Sequence, residues 1–138
     1  MIVLIDTNVM IDLLSKRPLF WQDTQKVMDI CQKGFATGYI TSNSVTDMIY
    51  ILRKEISLGK MKDLLFELFN FIKIANVGED EIKKAFSLGF TDYEDALQAQ
   101  TAMSVNATHV ITRNKKDFTK SSLEVITPKE FIEKMVAL

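Results

Sequence analysis

In 138 residues there is one cysteine, Cys31, and one histidine, His109. A disulfide framework is therefore excluded within one chain, and so is a zinc site built from Cys and His. Long apolar runs are missing: none reaches the roughly 18 residues that a membrane span needs. No basic segment stands before Ile2, so no secretory signal is visible and a cytoplasmic protein is expected. An excess of positive charge is absent too, with 17 basic residues facing 18 acidic ones for a net charge of −1. That balance does not mark a nucleic-acid binder, although a local basic rim beside an acidic site is compatible with it. Internal repeats, low-complexity segments and linkers are lacking, so residues 1–138 are read as a single domain. The 47% hydrophobic and 25% charged residues fit a soluble globular chain with a real core.

What is present begins with Met1-Ile2-Val3-Leu4-Ile5-Asp6-Thr7-Asn8. An unbroken Ile/Val/Leu run predicts a strand buried on both faces, as in a parallel sheet. The Asp that follows stands where open α/β sheets build their sites. The remaining pattern predicts a short helix from Asn8 to Leu14 and a second from about Leu19 to Lys33, with Trp21, Val27, Ile30 and Cys31 facing a core. Tyr39 to Thr41 is a short β-like run. A third helix opens at Ser42-Asn43-Ser44, with Val45, Met48, Ile49, Leu52 and Ile56 at helical spacing. A fourth, from about Lys60 to Phe71, is read as its antiparallel partner. Its Leu64, Leu65, Phe66, Leu68, Phe69 and Phe71 serve core packing or a partner surface.

Ile72 to Val77 is a weak strand, and Asp80 to Leu88 a short helix. An alanine-rich helix follows from near Asp92 to Val105, where Ala96, Ala99 and Ala102 allow close approach to a sheet. Strands at Thr108 to Thr112 and Leu123 to Ile126 precede a closing helix from Pro128 to about Ala137. Strands alternating with helices imply right-handed crossovers. The expected fold is a three-layer α/β/α sandwich on a parallel sheet of four to five strands.

Asp6, Asp47, Asp92, Asp95 and Asp117 all fall at strand carboxyl ends or helix amino ends, which share one rim in a doubly wound sheet. Helix capping accounts for each acid singly. Asp6 and Asn8 suit an N-cap, and Ser44-x-x-Asp47 and Thr91-x-x-Glu94 match the capping-box pattern. Gathered on one rim, however, these carboxylates repel unless a divalent cation binds among them. Oxygen-only ligands point to Mg²⁺ or Mn²⁺.

Three segments carry a family resemblance. Asp6-Thr7-Asn8 follows the opening strand, Asp92-Tyr93-Glu94-Asp95-Ala96-Leu97-Gln98 starts the alanine-rich helix, and Thr112-Arg113-Asn114-Lys115-Lys116-Asp117-Phe118 follows a strand. Their order and spacing resemble a PIN domain of the VapC-like ribonuclease toxins, in a subgroup with a D-x-x-D-A-L pattern. The resemblance implies a metal-dependent ribonuclease that leaves a 3′-hydroxyl and a 5′-phosphate. It implies Asp6, Asp92, Asp95 and Asp117 as metal ligands, and Asp6, Asp47, Asp95 and Asp117 as the catalytic acids. Thr7, Asn8, Thr112 and Asn114 would orient ligands or phosphate. A cognate antitoxin, a homodimer and an RNA substrate are implied in the same way, and no membrane. The chain departs from the pattern at Asp47, where the family most often has Glu and therefore a longer reach to metal.

Arg113, Lys115 and Lys116 cluster beside Asp117 and are expected to bind RNA, with Lys120 and Lys16-Arg17 nearby. An ordinary solvated loop is the plain alternative. Asp47 favours one rival, a PIN-like scaffold of weak or no activity that binds RNA or a protein. Phosphotransfer receivers and haloacid dehalogenases also place Asp at a strand end. The dehalogenase pattern needs a second Asp where this chain has Asn8.

Overall fold

A computed structural model describes residues 1–137. Its sheet has five parallel strands: β1 (Ile2–Ile5), β2 (Thr37–Thr41), β3 (Ile72–Ala75), β4 (His109–Ile111) and β5 (Glu124–Ile126). They lie in the order β3-β2-β1-β4-β5. The opening run of Val3, Leu4 and Ile5 is fully buried at the centre of this sheet. Seven α-helices cover its faces: α1 (Thr7–Leu14), α2 (Trp21–Gln32), α3 (Ser42–Ile51), α4 (Leu58–Leu68), α5 (Glu79–Ala85), α6 (Tyr93–Ser104) and α7 (Pro128–Val136). The predicted three-layer sandwich is observed, with five strands.

Two cores flank the sheet. One joins β1 and β2 to α1, α2, α3, α4 and α7 around Ile5, Met10, Met28, Met48, Met61 and Phe131. The other sets Ala99 and Ala102 of α6 against Leu4, Val110 and Phe118. The alanines let α6 lie close on β1 and β2, as their spacing predicts for a sheet. Each fully buried Leu, Ile, Met or Phe contributes about 1.5–3 kcal/mol relative to exposure. Cys31 belongs to the first core, and burial pushes its thiol up to about 11. Gly38 of β2 is a packing requirement, since a Cβ there would meet Ile72 at 2.9 Å and Cys31 at 3.0 Å.

Several boundaries differ from expectation. The α3 helix stops at Ile51, and the chain continues through a turn that still buries Leu52 and Ile56 in the first core. Met48 of α3 and Met61 and Leu65 of α4 share that core with Leu52 and Ile56 of the turn between them. On α4, Leu65 is core, whereas Phe66 is more than half exposed. The α3 N-cap is Thr41, whose side chain accepts from the Ser44 N–H, so Ser44 and Asp47 form no capping box. Asp47 consequently sits in the second turn of α3 and not the first. The α6 N-cap is Asp92 and not Thr91. A short 3₁₀ turn, Lys115–Phe118, stands between β4 and β5 where the expected pattern had only loop.

The topology fixes where a site can form. The chain builds β1, β2 and β3 to one side, then crosses to β4 and β5 on the other. The switch point lies between β1 and β4, and crevices at strand carboxyl ends open at such points.

Candidate active site

Asp6 ends β1 at that switch point. Its backbone N–H donates to the Ile111 carbonyl of β4 at 3.0 Å, which locks the two strand ends together. Its backbone begins α1, yet its carboxylate makes no capping hydrogen bond. The carboxylate instead accepts from Gln98 Nε2 at 3.0 Å and from Thr112 Oγ1 at 2.8 Å. Asp6 is 3% exposed. Burial pushes its carboxyl above the usual range, opposed by the bonds from Gln98 and Thr112 and by the nearby backbone N–H groups of Asn8 and Thr7. Both of its side-chain donors are neutral, so no protein cation compensates this charge.

Around Asp6 opens a polar cavity of about 220 Å³, lined by Thr7, Asn8, Ile51, Asp92, Glu94, Asp95, Gln98 and Asp117. The first turn of α6 supplies three of these acids. Asp92 serves as the N-cap, accepting from the Asp95 N–H at 3.1 Å, and still borders the cavity. Asp95 points inward, and its carboxyl is pushed up to about 7 by burial and by the charges of Asp92, Asp6 and Asp117. Asp117 comes from the 3₁₀ turn, held by its N–H bond to the Asn114 carbonyl at 3.0 Å.

Short polar groups frame the acids. The Thr7 and Ser44 hydroxyls lie 2.6 Å apart and those of Ser44 and Thr41 2.8 Å apart, tying α1 to α3. Thr112 Oγ1 donates to Asp6 and accepts from the Asn114 N–H at 3.1 Å. Asn114 therefore acts here through its backbone.

Asp47 is the exception among the expected acids. It does not line the cavity. It lies instead beside Glu94, whose carboxyl is pushed up to about 7 by burial, by hydrogen bonding with Asp47 and by the charges of Asp47, Asp92 and Asp95. Glu94 and Gln98 were not singled out from sequence as site residues. Helical spacing is the signal that finds them, since 94, 95 and 98 share one face of a helix starting at Tyr93.

The basic residues divide into two groups. Arg113 is no free rim cation: its guanidinium forks onto buried Asp12, with Nε 2.6 Å from Oδ2 and Nη2 3.2 Å from Oδ1. Lys115 pairs with Glu130 at 3.0 Å. Lys116 and Lys120 instead line a second polar cleft with Phe90, Thr91 and Thr119, sharing Asp92, Asp95 and Asp117 with the first. His109 is buried in β4 beside Glu124 and borders neither cleft.

The donor set is oxygen-only and carries excess negative charge, which suits a hard divalent cation. Among the described residues, no three Asp, Glu, His or Cys side chains converge as a ready-made metal cage. The acids ring a cavity, and burial together with the charges of Asp92, Asp6 and Asp117 raises the carboxyl of Asp95.

Comparison with known proteins agrees with this geometry. Residues 2–116 match the family model described as PIN domain. The chain is 28% identical over 137 residues to Ribonuclease VapC1 of Aquifex aeolicus, covering 96% of this chain and 94% of that protein. A toxin–antitoxin complex from Klebsiella pneumoniae has a chain of similar fold, with TM-score 0.69 and 23% identity over 91% of this chain and 97% of that one. VapBC2 from Rickettsia felis, bound to a promoter DNA fragment, contains another, with TM-score 0.70 and 19% identity over 91% and 97%. With the matched segment running from β1 into the 3₁₀ turn and enclosing Asp6, Asp92, Glu94 and Asp95 of the cavity, this chain belongs to the PIN-domain family.

Proposed function

We propose that this protein is an Mg²⁺- or Mn²⁺-dependent endoribonuclease, the toxin of a toxin–antitoxin pair acting in the cytoplasm. The observation that carries the reading is Asp6, a buried carboxylate with only neutral donors, facing Asp92, Glu94, Asp95 and Asp117 across one cavity. Uncompensated buried charge is costly, and proteins retain it where it coordinates metals or does chemistry. The similarity to Ribonuclease VapC1 supports the reaction class, and the toxin–antitoxin complexes of similar fold support a protein partner that covers the acidic rim. A homodimer is proposed by family resemblance.

Asp6 and Asp95 would hold the cation, with Asp92 and Asp117 completing its shell directly or through water. When bound, the ion would supply a Lewis acid for the phosphoryl oxygens and acidify an attacking water. The chain's own residues do the rest. Gln98 and Thr112 fix the Asp6 carboxylate by one bond to each oxygen. Burial and the charges of Asp92, Asp6 and Asp117 push the Asp95 carboxyl up to about 7 in the cation-free protein, and a bound cation would relieve that repulsion. Attack by water, and not by the ribose 2′-hydroxyl, leaves a 3′-hydroxyl and a 5′-phosphate. The RNA backbone runs over Lys116 and Lys120, whose cleft adjoins the cavity.

Cleavage of a mixed single-stranded and structured RNA pool with Mn²⁺ tests this, comparing wild type with Asp6→Asn and Asp95→Asn. The expected result is cleavage that both substitutions and EDTA abolish. Cleavage surviving either substitution would overturn the assignment. One observation favours a second reading, a scaffold with weak activity: Asp47 lies beside Glu94 and does not line the cavity. Mn²⁺ binding without cleavage of any RNA would select it.

A further inference from the structure

We propose that Asp12 and Arg113 are positioning residues for the acidic site, joining from outside the cavity the two segments that carry Asp6 and Asp117. The proposal rests on the nuclease reading above. Asp12 lies on α1, the helix that Asp6 begins, and is fully buried. Arg113 lies 101 residues away and reaches both Asp12 oxygens, at 2.6 and 3.2 Å. Arg17 approaches the same carboxylate at 3.6 Å, and the Phe20 ring lies 4.1 Å from the Arg113 guanidinium. The fork is therefore held from three sides, and neither Asp12 nor Arg113 lines the cavity.

What this pins is specific. On one side of Arg113, Thr112 donates to Asp6 and accepts from the Asn114 N–H. On the other side, the Asn114 carbonyl accepts from the Asp117 N–H. Fixing the Arg113 side chain against α1 therefore fixes the strand exit that orients Asp6 and the turn that presents Asp117. Stability alone does not require this pair, because a buried ion pair replaced by packed apolar side chains is often as stable or more so. Its geometry gives one register between α1 and the segment after β4, and groups that orient a site's ligands act through such registers.

The test compares wild type with Arg113→Met, Arg113→Lys and the paired change Asp12→Leu with Arg113→Met, using Mn²⁺ titration, amide hydrogen exchange, thermal unfolding and RNA cleavage kinetics. The paired change should restore the thermal midpoint that Arg113→Met loses. It should nevertheless keep Mn²⁺ affinity and kcat down by about tenfold or more, the usual effect of losing a group that orients ligands. KM and the salt dependence of RNA binding should stay as in wild type. Exchange at the Asn114 and Asp117 amides should accelerate, a readout that needs neither metal nor RNA. Arg113→Lys, which keeps the charge without the fork, should fold and show an intermediate loss. Mn²⁺ affinity, kcat and amide protection that return together with stability would overturn the proposal. So would a raised KM with a reduced salt slope, which would make Arg113 a phosphate contact. Failure of the wild type to cleave RNA would count against the nuclease reading, while the exchange data would still decide the positioning role.

Discussion

Two buried aspartates stand six residues apart on α1, at its start and near its end, and their surroundings are opposite. Asp12 is enclosed by the charges of Arg113 and Arg17. Asp6 receives one amide and one hydroxyl, and faces four further carboxylates. The first arrangement neutralises a charge inside the protein. The second leaves it uncompensated, and burial together with the charges of Asp92, Asp6 and Asp117 raises the neighbouring Asp95 carboxyl to about 7. A buried acid that the fold pairs with cations is serving the structure. One kept among other acids is held for a cation from solution.

The contrast is broken most sharply by removing each charge. Asp6→Asn or Asp95→Asn should lower RNA cleavage by about 100-fold or more, since both are proposed metal ligands. The thermal midpoint of the cation-free protein should hold or rise, because repulsion is relieved. Arg113→Met should act in the other sense, costing about 3 kcal/mol of stability by leaving Asp12 buried with only the more distant Arg17. Chemical denaturation measures it, and a loss no larger than that of an exposed charge would contradict the pairing account.

Acidity sharpens the comparison further. Asp95 and Glu94 have carboxyls pushed up to about 7, against about 4 in an unfolded chain. Between those values the native state holds protons that the unfolded chain has released, so stability falls as pH rises through the window. Both groups are partly solvated, so the thermal midpoint should drop by only a few degrees from pH 5.5 to 8. Saturating Mn²⁺ should cancel the drop, and Asp95→Asn should shrink it. A cation-free midpoint that climbs over this range would contradict the repulsion. The smallest expected effect is at the rim. Replacing Lys116 and Lys120 by Ala should lower the salt slope of single-stranded RNA binding by about 0.7 per lysine. Lys115→Ala should change it less, because that ammonium is paired with Glu130.

Much of this arrangement was legible in the chain. The Ile/Val/Leu run before Asp6 has the composition of a central parallel strand, and it became β1 between β2 and β4. Asp95 and Asp117 could be placed because strand ends and helix starts share a rim in this topology. Pairings across long separations could not. Arg113 reads as one of a basic cluster, and only folding shows that it reaches back to Asp12. Capping was ambiguous by one residue, since Thr91 and Asp92 are both good caps, and the backbone chose Asp92. Helical spacing continued past Ile51 because Leu52 and Ile56 are buried by a turn and not by more helix. Asp47 had the expected sequence position but not the expected neighbour. Its closeness to Glu94 joins α3 to α6, elements nearly fifty residues apart, and only folding shows it.

The most direct measurement is a calorimetric titration of the cation-free protein with Mn²⁺, wild type against Asp6→Asn. The account predicts saturable binding by the wild type that raises its thermal midpoint, and loss of both effects in the variant. Undiminished binding by Asp6→Asn would show that the buried, unpaired carboxylate is not the centre of the site.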